Sequence, residues 1–206
     1  MTQTEKPHHH GDLREALVSA GIELMEQNGI DALTLRKCAA RAGVSHSAPA
    51  HHFNGLASLK LAIIARGHKI FAKTMVEEMQ QSGPDPMARL QAVCQGYLIF
   101  ANRHNALFQL MFKTFNMNLA GITGSVLTEF EQNAALSYAL LEQACEPFEN
   151  VKGTGNSTEV TVWALVHGYA VLFDKDSNRN IPTGEVPDFS LILGGLGLHI
   201  RQEATP

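Results

Sequence analysis

The sequence has few cysteines, and their arrangement excludes a disulfide-stabilised protein. The three cysteines, Cys38, Cys94 and Cys145, are odd in number and far apart, with no CxxC spacing. Each falls among apolar residues of a predicted helix, so we expect buried free thiols. Free thiols suit the reducing cytoplasm.

Long apolar runs are missing too. No run reaches the ~18 to 20 residues that a membrane-spanning helix needs. Residues 1–11 are polar and histidine-bearing, unlike a secretory signal peptide. We therefore expect a soluble, cytoplasmic protein with no membrane partner.

Charge is scarce, and neither sign dominates. Charged residues make up 17% of the chain, and 16 Lys and Arg against 20 Asp and Glu leave a net charge of −4. This excludes a uniformly basic coat for nucleic acid, so any DNA-binding surface must be local. Hydrophobic residues make up 45% of the 206, enough for one large helical domain with a small one appended.

Motifs for catalysis and metal binding are absent as well. The chain has no glycine-rich phosphate loop, no nucleophile elbow and no HExxH. The run His8, His9 and His10 could be a tag remnant or a set of metal ligands, but it lacks a paired ligand at tetrahedral-site spacing. We expect no enzymatic activity, no cofactor and no bound metal.

What the chain does contain is helical periodicity. Apolar residues recur at intervals of three and four along most of its length, and nothing alternates with period two. This predicts an all-α protein. The predicted helices span residues 12–28, two short stretches within 34–53, then about 56–81, 86–104, 106–115, 126–148, 158–173 and 188–200.

The stretch 34–53, TLRKCAARAGVSHSAPAHHF, predicts two short helices around a tight corner. Thr34 is a good N-cap for the first helix, and Gly43 is the residue type that most easily ends one. A second helix, capped by Ser45, would follow at once. A helix, a glycine turn and a second short helix form the helix-turn-helix pattern, whose second helix enters the DNA major groove.

The run GIDALTLRKCAARAGVSHSAPAHHF, followed by a long helix, resembles the N-terminal domain of the TetR/AcrR bacterial transcriptional regulators. HHHGDLREAL resembles the lead-in of one branch of that family, which favours a native arm near the DNA backbone. Trp163, His167 and Gly168 resemble the Trp-His-Gly signature of the same branch. The resemblance implies a three-helix helix-turn-helix DNA-binding domain at residues 11–71 and a C-terminal helical ligand-binding and dimerisation domain at 85–203.

The resemblance also implies a function. We expect a repressor that binds a pseudo-palindromic double-stranded DNA operator and is released by a small, largely apolar effector. Relatives often carry an aromatic residue at the position of Ala50 and a lysine at that of Leu56, and both commonly touch phosphates. This chain would bind more weakly or use other side chains instead. The expected DNA-binding residues are Thr34, Arg36, Lys37, Ser45, His46, Ser47, Ala50, His51, His52 and Lys60.

Aromatic residues in the second half suggest an effector site. At helical spacing such residues are usually core, and for each one we prefer that interpretation, yet together they could wall an apolar cavity. Polar side chains among them would orient a ligand by hydrogen bonds. The expected ligand-binding residues are Tyr97, Phe100, His104, Phe108, Met111, Phe112, Phe115, Trp163 and His167.

The last predicted helix, 188–200, suggests a homodimer. It is apolar or glycine on nearly every side, so it should be buried on more than one side. Gly194, Gly195 and Gly197 each cost about 1 kcal/mol in a helix interior, which close helix–helix approach would offset. We expect a two-fold interface built from Thr158–Phe173 and Asp188–Ile200. The alternative is that the glycines break this helix.

A second class of function stays open. A helical adaptor that binds other proteins would also explain the apolar C-terminal helices. An adaptor function would not explain the predicted helix-turn-helix at residues 34–53.

Overall fold

The computed structural model of the chain describes residues 10–113, 122, 124–149, 157–173 and 186–201. These residues form eight α-helices and no strand, with one isolated antiparallel bridge between Phe148 and Ile200, so the all-α prediction is confirmed. Turns of 3-10 helix at Ile30–Ala32 and Ala48–His51 lie on either side of α2. The helices are α1 (His10–Asn28), α2 (Leu35–Arg41), α3 (Gly55–Gln81), α4 (Pro86–Arg103), α5 (Asn105–Lys113), α6 (Ser125–Cys145), α7 (Thr158–Leu172) and α8 (Phe189–Gly194).

The chain divides into two compact units. The first comprises residues 1–68 and 104–133, and the second comprises residues 69–103 and 134–206. Two helices, α3 and α6, therefore contribute to both units. The domain boundaries 11–71 and 85–203 stay predictions.

In the first unit, α1 packs on α2 and α5 because its apolar stripe faces them. Leu17 and Met25 of α1 are fully buried, as are Ile63 of α3 and Leu107 of α5. Burial of a large aliphatic side chain stabilises a fold by about 1.5 to 3 kcal/mol. These contacts brace the short helices of the predicted corner, which bury little surface of their own.

In the second unit, α3 and α4 approach each other closely at Gly96. A Cβ atom at this position would lie 2.6 Å from Cα of Met75 and 2.9 Å from the carbonyl oxygen of Thr74. Glycine is therefore required here for the helices to touch backbone to backbone. The core of this unit also contains the fully buried side chains of Phe100, Phe148 and Leu193.

The last helix is shorter than expected. Asp188 caps it by accepting a hydrogen bond from the N–H of Ser190 at 2.8 Å, but α8 ends at Gly194. Gly197 then takes φ +59°, a left-handed conformation that ends a helix. The expected helix over 188–200 is wrong beyond Gly194, and the alternative that the glycines break it is confirmed. Gly197 lies outside any helix, so the three glycines do not line one helix–helix crossing.

Two expectations lie outside the described residues. Phe115 follows the end of α5, and the arm that carries His8 and His9 precedes α1.

Candidate functional site

The corner begins at α2 as the sequence predicts. Thr34 is extended, with φ −141° and ψ 150°, and its hydroxyl accepts a hydrogen bond from the N–H of Lys37 at 3.2 Å. Cys38 and Ala39 are completely buried, whereas Arg36 and Lys37 are exposed. One face of α2 therefore anchors it to the core, and the opposite face offers two cations to solvent.

Gly43 makes the turn between α2 and the next segment. It takes φ +69°, a conformation that glycine adopts without a steric penalty. The N–H of Val44 donates to the carbonyl of Ala39 at 3.0 Å, which closes the end of α2. The predicted glycine corner is confirmed.

The segment that follows, Ser45–His52, is hereafter the recognition segment. It forms a turn of 3-10 helix at Ala48–His51 rather than the expected α-helix capped by Ser45. Pro49 explains the difference. In an α-helix the carbonyl of Ser45 would accept from the N–H of residue 49, which proline lacks, so it accepts from Ala48 at 3.1 Å instead.

The recognition segment is anchored by one of its own residues and by the residue that follows it, and it exposes most of its polar side chains. Pro49 is buried, and Phe53, the residue after the segment, is 2% exposed. His52 is half-buried. The exposed side chains are those of Ser45, His46, Ser47, Ala50 and His51.

The cations of residues 13–68 fall into two groups. This range contains six Lys and Arg, and three of them are held in ion pairs. The positive charge of such a residue is already compensated by a carboxylate in the DNA-free protein. The pairs are Arg14 with Glu129 at 2.6 Å, Arg41 with Glu23 at 3.0 Å, and Arg66 with Glu15.

The other three cations are Arg36, Lys37 and Lys60. They enter no ion pair with any residue that the structure describes. The sequence predicts all three as DNA-binding residues. Because no described carboxylate pairs with them, their charges can interact with DNA phosphates.

Four expected effector residues come together in the second unit. The hydroxyl of Tyr97 lies 2.8 Å from Nδ1 of His167, and Phe100 is fully buried beside Phe71, with ring centroids 5.0 Å apart. Trp163, half-buried on α7, meets the ring of Tyr138 edge-on at 5.9 Å. Tyr138 was not foreseen, because its position on α6 carries no sequence signal that links it to α7.

Burial keeps the polar pair of this group uncharged. Desolvation raises the pKa of Tyr97, and the opposing effect of a hydrogen bond with Trp163 is smaller. Desolvation likewise lowers the pKa of His167. A neutral phenol and a neutral imidazole therefore face each other at pH 7.

The other expected effector residues lie in the first unit. Nδ1 of His104 is 3.7 Å from a carboxylate oxygen of Glu26 on α1. Phe108 and Met111 are buried, and the ring of Phe112 lies 4.9 Å from that of Phe108. The nine residues that the sequence suggested as one site thus belong to two groups in two units, apart from Phe115.

His68 in the first unit was missed by sequence reasoning. Its ring contacts Phe112 and Phe130 edge-on, with centroids 6.4 and 6.0 Å apart. Burial lowers the pKa of His68 to about 4. The histidine sits in α3 at a position that a helical repeat marks as buried, but the repeat does not show that aromatic rings surround it.

Two further features were sought in the described part of the chain. No helix there is both long and apolar enough to cross a membrane. Within the same ranges, no group of three His, Cys, Asp or Glu side chains is placed to hold a metal ion.

The fold and this surface define a helix-turn-helix transcriptional regulator. Residues 17–63 match the family model for bacterial regulatory proteins of the tetR family, and residues 90–176 match that for the tetracyclin repressor-like C-terminal domain. The chain belongs to the TetR family, as its sequence suggested. No curated protein sequence matches it. The Trp-His-Gly branch stays a prediction.

Solved structures agree on the fold. A protein of unknown function from Rhodococcus sp. RHA1 is 26% identical with a TM-score of 0.68, over 94% of this chain and 99% of that one. A TetR-like transcriptional regulator from the same source is 20% identical with a TM-score of 0.56, over 92% and 96%. AibR, solved with isovaleryl coenzyme A and operator DNA, is 17% identical with a TM-score of 0.57, over 90% and 96%.

Proposed function

We propose that this regulator is a repressor, that it binds a pseudo-palindromic operator as a homodimer, and that a small, largely apolar effector releases it. The observation that carries the proposal is the exposed recognition segment, flanked in the sequence by three cations that enter no described ion pair. Regulators of this family are in general non-enzymatic DNA-binding proteins. The proposed place of action is the cytoplasm, where bacterial DNA lies.

In the proposed complex, the three cations and the recognition segment would make different contacts with DNA. Arg36, Lys37 and Lys60 would bind phosphates, which set the register of a protein on the duplex but carry no sequence information. Thr34, at the start of α2, would approach the backbone beside them. The exposed side chains of the recognition segment would meet base edges in the major groove.

The side chains of the recognition segment limit which bases it could distinguish. Ser45, Ser47 and the imidazoles of His46 and His51 both donate and accept hydrogen bonds, so they suit either purine. The methyl group of Ala50 would contact a thymine methyl. His52, half-buried, would reach the backbone at the edge of the groove.

The effector would bind in the second unit, where Tyr97, His167 and Trp163 supply polar groups within an apolar surrounding. This is the usual composition of a small-molecule site, largely apolar with a few placed hydrogen-bonding groups. The group in the first unit, Phe108, Phe112, Met111 and His104, is the alternative location. AibR was solved with isovaleryl coenzyme A and operator DNA, which supports a small-molecule ligand and an operator as partners here, while the apolar character of the effector rests on the surrounding residues alone.

The homodimer would form through α7 and α8. Val160, Ala164 and Val171 are exposed on one face of α7, and Leu191 of α8 is 75% exposed. Tyr169 of α7 and Phe189 of α8 join the two helices, with ring centroids 5.2 Å apart. Neighbouring exposed apolar side chains of this kind favour an interaction site, and a two-fold interface is the commonest one between identical chains.

Selection from a random duplex library tests the proposal. The full-length protein should enrich a sequence with two related half-sites about one helical turn apart, or somewhat more. A shift assay with that duplex and with a scrambled version should then show a clear preference for the first. Enrichment of no sequence at all would remove the regulator function and favour the protein adaptor.

A further inference from the structure

Arg41, the last residue of α2, is bonded to two side chains of α1. Its Nε donates to Oε2 of Glu23 at 3.0 Å, and its Nη2 donates to Oε1 of Gln27 at 2.7 Å. Glu23 and Gln27 are four positions apart, so they project from the same face of α1. A planar guanidinium with two N–H groups on two separate acceptors is fixed in both place and orientation.

This arrangement separates Arg41 from the other cations of α2. All three residues are exposed, but Arg36 and Lys37 enter no described ion pair, whereas the Arg41 guanidinium is already paired with Glu23. To reach a phosphate, Arg41 would have to abandon both bonds. Its position at the end of α2, two residues before Gly43, instead suits a role in fixing the corner.

The recognition segment depends on that corner. Its 3-10 turn lacks the full set of α-helical hydrogen bonds, and the segment contains no Lys or Arg of its own. Its direction is therefore set by the end of α2 and by its buried anchors, Pro49 and Phe53. A small rotation of α2 on α1 would move the exposed side chains away from base edges.

We propose that Arg41 is a positioning residue, which holds α2 on α1 through Glu23 and Gln27, aims the recognition segment and makes no phosphate contact. The inference rests on the proposed DNA-binding function. It predicts that substitution of Arg41 impairs the discrimination between DNA sequences and leaves the general electrostatic attraction for DNA unchanged.

The test compares the selected duplex with its scrambled version across a salt series. Arg41→Met should weaken binding to the selected duplex about tenfold, some threefold for each subunit, as expected for a partly exposed ion pair. Affinity for the scrambled duplex and the slope of log affinity against log salt should both stay unchanged. Gln27→Leu removes one of the two bonds without changing any charge, and it should act in the same direction.

Lys37→Met is the matched control. It should weaken binding to both duplexes and reduce the salt slope by about 0.9 for each phosphate that the protein no longer neutralises. If Arg41→Met behaves like Lys37→Met, Arg41 binds phosphate and the inference fails. It fails equally if Arg41→Met and Gln27→Leu leave the preference between the duplexes intact.

A merely structural role is distinguished by thermal unfolding. If Arg41 only stabilised the fold, its variants would lower the melting temperature and weaken both duplexes in parallel, which would also overturn the inference. Should Arg41→Met fail to fold, Gln27→Leu decides the matter alone. A wild-type protein that selects no duplex would instead remove the proposed function.

Discussion

The hydroxyl of Tyr97 on α4 lies 2.8 Å from Nδ1 of His167 on α7, although 70 positions separate them in the chain. Both groups are uncharged at neutral pH because burial shifts their pKa values in opposite directions. In the effector site proposed for the second unit, this neutral hydrogen-bonded pair would bind a ligand with few charges. The proposed location can be tested before the effector is identified.

An apolar compound from a broad library should raise the melting temperature by several degrees, because it binds the folded state alone. If it binds in the second unit, Trp163→Leu should abolish the shift while operator binding persists. Phe112→Leu, the matched change in the first unit, should leave the shift in place. The reverse result would locate the effector in the first unit, and a library without any active compound would count against effector release.

The double variant His51→Ala, His52→Ala should weaken operator binding about threefold to tenfold in a fluorescence anisotropy titration, because it removes the hydrogen bonds that the two imidazoles would make with the operator. His199→Ala, which changes an exposed histidine of the second unit, is the control and should keep the wild-type affinity. A double variant with wild-type affinity would show that His51 and His52 do not contact the operator.

Burial of His68 should make the first unit sensitive to acid. Its pKa is about 4 in the folded protein, against about 6.5 in an unfolded chain. Its contribution to stability is therefore fully present above pH 6.5 and is lost between pH 6.5 and 4, by up to about 3 kcal/mol. Urea unfolding at several pH values should show this loss in the wild type and a smaller one in His68→Leu. An identical dependence in both proteins would contradict the assignment.

The close approach at Gly96 should tolerate no side chain. Gly96→Ala places a methyl group against the backbone of Met75 and should lower the free energy of unfolding by about 1 to 3 kcal/mol, as overpacking does. Gly83→Ala in the loop between α3 and α4 is the control, since a Cβ there meets nothing within 4 Å. That variant should be neutral or more stable by up to about 1 kcal/mol, because alanine restricts the unfolded chain more than glycine does. Equal effects in the two variants would argue against the crossing.

The dimer proposal is tested by burying a charge in the expected interface. Leu191→Glu in α8 should yield a monomer by light scattering and lose operator binding, because an unpaired buried carboxylate is costly. Leu136→Glu is a suitable control, as Leu136 is also largely exposed, at 54%, but lies on α6. A wild-type protein that is monomeric at micromolar concentration would end the proposal.

Much of the fold could be predicted because local chemistry decides it. The Thr34 cap and the glycine at position 43 follow from residue preferences that act within one turn, and α3 ends at Gln81 as its periodicity indicates. Local chemistry also explains one failure. Pro49 breaks the expected second helix through a single missing N–H, a signal present in the sequence but outweighed by the helix-turn-helix pattern.

Other features depend on neighbours that are distant in the chain. The aromatic spacing in α4 and α5 correctly indicated burial, but not that Phe100 belongs to one unit and Phe108 to the other. The bonds of Arg41 were equally hidden, because helical periodicity does not specify which residues of another helix an arginine reaches. Patterns within a helix predict its faces, and packing between helices requires the structure.

Because buried residues anchor the recognition segment, the DNA preference of this regulator could be changed at the exposed positions. Pro49 and Phe53 hold the segment from beneath, while Ser45, His46, Ser47, Ala50 and His51 contribute nothing buried to the fold. Substitutions at these five positions should therefore change operator preference at little cost in stability. Substitution of exposed side chains alone, in evolution or by design, could therefore direct this regulator to new promoters.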